Sequence, residues 1–152
     1  MTKPERAEMY CRYLKEETYE PRIDSEGDVV FTGEGKTYTI LIDPEDDTFF
    51  SITLYGIRRI NSDAERVQVE QSALIATAQT KVAKIWPTKD NTIATVELFC
   101  SPPESFKSVF EHAVRALHSC VMCFKNNIDE ARPCPLGRDA QSTIKTVIAC
   151  PS

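Results

Sequence analysis

The chain has 152 residues, 41% hydrophobic and 27% charged, a balance that predicts one folded domain and excludes a disordered chain. Its formal net charge of −5 disfavours nucleic acid and anionic membrane surfaces as partners, because phosphate contacts need a basic patch. No run approaches the roughly 18–20 apolar residues of a membrane span, and the opening MTKPERAEMY lacks the apolar stretch of a secretory signal. A cytoplasmic location with reduced thiols is therefore expected.

Ala7, Tyr10, Cys11 and Leu14 stand at i, i+3, i+4 and i+7, which predicts an amphipathic helix from about Pro4 to Tyr19 that Pro21 terminates. Glu5, Arg6 and Glu16 fall on its expected wet side. Three strands follow. Val29–Phe31 opens the first, and Gly33–Glu34–Gly35–Lys36 supplies a hairpin turn. Thr37–Ile42 is the second, ended by the Asp43–Asp47 turn, and Thr48–Ile57 is the third, with Phe50, Ile52 and Leu54 on one face.

Ser62 and Glu65 have capping-box spacing and predict a second helix ending near Gln79, with Val67, Gln71, Leu74, Ile75 and Ala78 on its buried stripe. Lys81–Trp86 and Thr92–Cys100 read as a hairpin, the latter with Ala94, Val96, Leu98 and Cys100 facing one way. Ser101, Pro102 and Glu104 combine a cap, a first-turn proline and a closing carboxylate at the start of a third helix. Its stripe runs through Phe106, Val109, Phe110, Ala113, Leu117, Cys120, Val121 and Phe124 to an end near Asn127 or Asp129. Residues 131–152 form a C-terminal extension to the 1–130 domain, broken by Pro133, Pro135 and Gly137, with Ile144, Val147 and Ile148 as apolar anchors. The class is α+β, an antiparallel sheet flanked by helices in the order α-β-β-β-α-β-β-α with a C-terminal tail.

Three stretches carry a resemblance. They are IDSEGDVVFTGEGKTYTILIDPEDDTFFSITLYGI for the meander, DAERVQVEQSALIATAQTKVAKIWPTKDNTIATVELFC for helix plus hairpin, and SPPESFKSVFEHAVRALHSCV for the last helix. Together they resemble the type III secretion chaperone-like fold and, within it, the YbjN family of small bacterial proteins. The resemblance covers residues 5–128 and rests on element order and apolar pattern. It implies a non-enzymatic, dimer-forming or peptide-binding scaffold that acts on a protein partner or client, as chaperone or regulator.

The chemistry-bearing motifs are sparse. Cys120 and Cys123 form a C-x-x-C, which with Cys134 offers a thiol- or metal-dependent alternative. Its predicted position deep in the third helix, near the negative end of the dipole, disfavours a thiolate, and His118 points about 200° away from Cys120 on such a helix. Core packing is the expected role of Cys120, and no cofactor, metal or catalytic residue is expected. Gly35–Lys36–Thr37 ends like a phosphate loop but lacks the earlier glycine and leads into a strand. The acidic Asp43–Asp47 cluster lacks the calcium-loop glycine and distal glutamate.

Two groups are candidate interaction residues. Ile85, Trp86, Ile93 and Phe99 on the second hairpin offer material for a homodimer interface, with Trp86 as anchor. Tyr13 and Tyr19, off the main stripe of the first helix, are candidate partner contacts.

Overall fold

The computed structural model describes residues 1–130. The extension at 131–152, with Cys134, Cys150 and the anchors Ile144, Val147 and Ile148, lies outside the described residues. The elements are α1 (Lys3–Glu16), β1 (Arg22–Ile23), β2 (Val29–Gly33), β3 (Lys36–Leu41), β4 (Phe49–Leu54), α2 (Asp63–Gln79), β5 (Ala83–Pro87), β6 (Thr92–Phe99) and α3 (Phe106–Glu130). The strands form one antiparallel sheet in the order β1-β2-β3-β4-β6-β5. The α+β class and the element order are those the alternation predicts, with the two-residue β1 added at one edge.

Alternation decides which residues meet the helices. Val29, Phe31, Tyr38, Ile40, Phe50, Ile52, Leu54, Ala94 and Val96 share one face of the sheet and join Tyr10, Leu14, Phe106, Phe110, Leu117 and Phe124 in one core. The α3 stripe is buried as its period requires. Around it the aromatic rings meet edge to face: Tyr10 lies 4.7 Å from Phe106, and Tyr13 lies 5.0 Å from Phe106 and 5.2 Å from Phe110.

Helix ends differ from expectation in instructive ways. α1 stops at Glu16 because Thr18 takes a left-handed φ of 68°. The Tyr19 amide then donates to the Leu14 carbonyl at 2.8 Å and the Thr18 amide to Lys15 at 3.1 Å, a Schellman closure built without glycine. At the other end Thr2 and Glu5 form a full capping box. The Ser62 hydroxyl caps α2 by accepting from the Glu65 amide at 3.2 Å, but the Glu65 carboxylate reaches one residue further back, to the Asn61 amide. The cap expected from Ser101 and Glu104 does not form; a 3-10 turn over Pro103–Ser105 leads into α3, with Ser105 Oγ donating to the Pro102 carbonyl.

Two burial assignments are reversed. Arg6, expected on the wet side of α1, is 0% exposed. Its guanidinium donates to the backbone carbonyls of Asp43 and Asp46, so a buried charge is offset by hydrogen bonds from the β3–β4 turn. On α2 the buried residues are Val69, Ser72, Ala73 and Ala76, whereas Val67, Gln71, Leu74 and Ala78 are exposed and Leu74 reaches 72%. The helix turns its small residues inward because they permit close approach to α3 and β5, and steric fit outweighs apolar area there.

That close approach also protects a sheet edge. β5 is the outermost strand, and the Ile85 amide, facing away from β6, donates to Thr77 Oγ1 of α2 at 3.1 Å. The same hydroxyl donates to the Ile85 carbonyl at 3.3 Å, so one side chain satisfies a backbone pair that would otherwise invite another strand. In the β2–β3 hairpin the two central residues, Glu34 and Gly35, both take positive φ, 50° and 74°, as a right-twisting two-residue turn requires.

Replacing Phe110 by Ala is expected to cost about 3–5 kcal/mol in urea-measured stability, since the ring is fully enclosed. A second test uses Tyr10, whose phenol burial pushes from 10.0 up to about 12. The folded chain keeps that proton after the unfolded chain has lost it, so the stability contribution is complete below pH 10 and falls as pH rises towards about 12. Across that window the wild type should therefore lose stability relative to Tyr10→Phe, and below it the two curves should run parallel.

Candidate interaction surface

The opposite parity of each strand faces away from the helices. Val30, Thr39, Leu41, Phe49, Ser51, Thr53, Tyr55, Ile93, Thr95, Glu97, Phe99, Lys84 and Trp86 share this open face by register. None of its apolar members belongs to the helix-side core among the described residues. The centre is Ser51, Thr53 and Thr95, small hydroxyl residues that neighbouring side chains shield.

The open face has two apolar corners. At one, Phe99 is 79% exposed and pairs with Phe49 across the β4–β6 ladder, ring centroids 6.1 Å apart. At the other, Trp86 is 37% exposed and pairs with Ile93 across β5–β6. Phe99 stands six positions after Ile93 on β6, about 20 Å along a strand. Between them Lys84 Nζ holds the Glu97 carboxylate at 2.8 Å and lies 5.5 Å from the Trp86 ring centroid, and the Thr95 hydroxyl donates to Glu97 at 3.1 Å.

Of the four hairpin candidates, Trp86, Ile93 and Phe99 share this face, and the structure divides them between its two corners. Ile85 is corrected to the core: it is the neighbour of Trp86 in sequence, so pleating sends it to the helix side, where it is buried. Phe49, Tyr55 and Leu41 complete the face and were not singled out, although their parity opposite Phe50, Ile52 and Leu54 carries the signal.

The two tyrosines also part. Tyr13 is buried between Phe106 and Phe110 and is corrected from a surface contact to a core residue. Tyr19 is half-buried, its ring 5.3 Å from Phe31 and 6.0 Å from Phe110. Burial first, then the Glu111, Glu17 and Glu34 carboxylates, raise its phenol above the ordinary range.

Cys120 is fully buried and Cys123 half-buried, and burial pushes both thiols up, away from nucleophilic thiolate. Cys123 Sγ lies 3.0 Å from Gln79 Oε1, which ties α3 to the end of α2. Among the described residues no three His, Cys, Asp or Glu side chains are placed to hold a metal ion, and no helix is long and apolar enough to cross a membrane.

These features define an α+β domain whose antiparallel sheet carries its helices on one side. No family model matches the chain, and no curated protein matches it. Among solved structures it is similar to an uncharacterized protein from Methanothermobacter thermautotrophicus, with a TM-score of 0.55 and 14% sequence identity over 81% of this chain and 99% of that one. At that identity the likeness shows the fold alone.

Thiol alkylation followed by peptide mapping should leave Cys120 unmodified in the native protein at pH 8 and modify it fully in denaturant. Native labelling of Cys120 at the rate of an exposed thiol would contradict its enclosure.

Proposed function

We propose that this chain is a non-enzymatic protein-binding or regulatory module, cytoplasmic, of the kind the YbjN and type III secretion chaperone resemblance implies. The single observation that carries this reading is the open sheet face, where Phe99 and Trp86 stand exposed on strands whose other face is fully used by the helices. Exposed tryptophan and phenylalanine side chains are residue types enriched in protein interfaces. The partner the resemblance implies first is a second copy of the chain, and the two-corner geometry suits an isologous contact in which the Phe99 corner of one copy meets the Trp86 corner of the other. The ion pair between the corners supplies a polar register within that contact.

Light scattering at micromolar concentration tests this. A dimer mass is expected, with Phe99→Asp or Trp86→Ala weakening association by about 30-fold or more while circular dichroism keeps the folded spectrum. Leu74→Asp on α2 should leave the dimer intact. A monomer mass for the wild type at these concentrations contradicts self-association, and loss of the dimer on Leu74→Asp alone relocates the interface to α2.

A further inference from the structure

The open sheet face carries very little charge. Of its residues on β4, β5 and β6, Lys84 and Glu97 alone are charged, and Ser51, Thr53 and Thr95 beside them are neutral hydroxyls. The strand register fixes where the two charges stand. Val96 is midway between Ile93 and Phe99 on β6. Lys84 pairs with Thr95, one position from that midpoint towards the Trp86–Ile93 corner. Glu97 pairs with Ser51, one position from it towards the Phe49–Phe99 corner. The two charges are therefore offset from the midpoint by equal and opposite steps of about 3 Å along the strand.

Both groups have bonding capacity to spare. Lys84 Nζ donates to Glu97 Oε2 at 2.8 Å, and the Thr95 hydroxyl donates to Glu97 Oε1 at 3.1 Å. An ammonium has three donors and a carboxylate about four acceptor sites, so one of three and two of four are used among the described residues. The Lys84 side chain is 50% exposed and that of Glu97 33%. The ammonium also lies 5.5 Å from the Trp86 ring centroid, which holds it at the corner proposed to enter the contact.

Two-fold symmetry turns this placement into a pairing rule. When two sheet faces meet so that the Phe99 corner of one covers the Trp86 corner of the other, the axis lies between the faces and crosses the strands at the level of Val96. Such an axis exchanges the level of Thr95 with the level of Glu97. The position over Glu97 is then filled from the Lys84–Thr95 level of the other copy. A contact slipped along the strands would instead bring like charges together or leave a charge unmatched, and either disfavours association.

Resting on the self-association proposed above, we infer that Lys84 of each copy faces the partner's Glu97, so that two reciprocal ion pairs cross the contact. The four charges alternate about the axis, each ammonium shared between its own carboxylate and that of the second copy. Lys84 and Glu97 are thus the residues that set the register of the dimer, and the aromatic corners supply its apolar contact.

The test is sedimentation equilibrium of the full chain at micromolar concentration, with Lys84→Glu and Glu97→Lys measured singly and in equal mixture. Each variant alone is expected to associate about 30-fold or more weakly than the wild type, because like charges then face each other twice across the contact. The equal mixture should recover the dimer, since every cross-contact in it again joins opposite charges. Mixing leaves the like-charge pair inside each chain as it was, so recovery reports the contact between chains and not the fold. The double variant Lys84→Glu/Glu97→Lys keeps an internal pair in reversed order; it should dimerise as the wild type does and form no mixed dimer with it. A monomeric wild type would remove the self-association reading and this inference together. With a dimeric wild type, single variants that associate at full strength, a mixture no more associated than its components, or free mixing of the double variant with the wild type would overturn the charge pairing alone.

Discussion

Pleating gives every strand of this sheet two sets of side chains, and among the described residues helices cover only one of them. α1, α2 and α3 all contribute to a single core with the Phe50–Ile52–Leu54 face of β4 and its neighbours. No described helix covers the other set. Its centre is built from serine and threonine, which tolerate a shielded surface, while large apolar residues are confined to the corners at Phe49–Phe99 and Trp86–Ile93. The edges are managed within the same constraint. β1 is two residues long, and Thr77 occupies the outward backbone pair of β5. The sheet thus leaves no long open edge at β5.

Much of the fold was legible because it follows periods. The strand parity of β4 and β6 and the five-turn stripe of α3 each repeat a simple apolar rule, and the structure buries the residues that rule selects. What escaped does not follow apolarity. The inward face of α2 is chosen by size, since Ser72, Ala73 and Ala76 let the helix approach its neighbours and Leu74 does not. Arg6 is buried because a turn forty residues away offers it two carbonyls, a long-range fact that no local pattern records. α1 ends on a threonine in left-handed conformation, where the usual sequence signal is glycine.

The surface was legible in part for the same reason. Ile93 and Phe99 share parity, so their common face could be read from spacing, but Ile85 and Trp86 are adjacent and pleating separates them. Tyr13 looked free because its helical position lies off the main stripe, but the rings of Phe106 and Phe110 at the start of α3 pack edge-on against it.

The exposed large apolar residues of the described molecule include those of the open sheet face, Tyr55, Trp86 and Phe99, and those of the outer stripe of α2, Val67 and Leu74, and the proposed self-association uses the first set. Hydroxyl-radical footprinting, comparing dilute purified protein with the same protein inside its host cells, separates them directly. If the sheet face is the contact, Phe99, Tyr55 and Trp86 are oxidised in the dilute protein and protected in cells, while Leu74 and Val67 are modified equally in both. Protection of Leu74 and Val67 with unchanged labelling of the sheet face would contradict it.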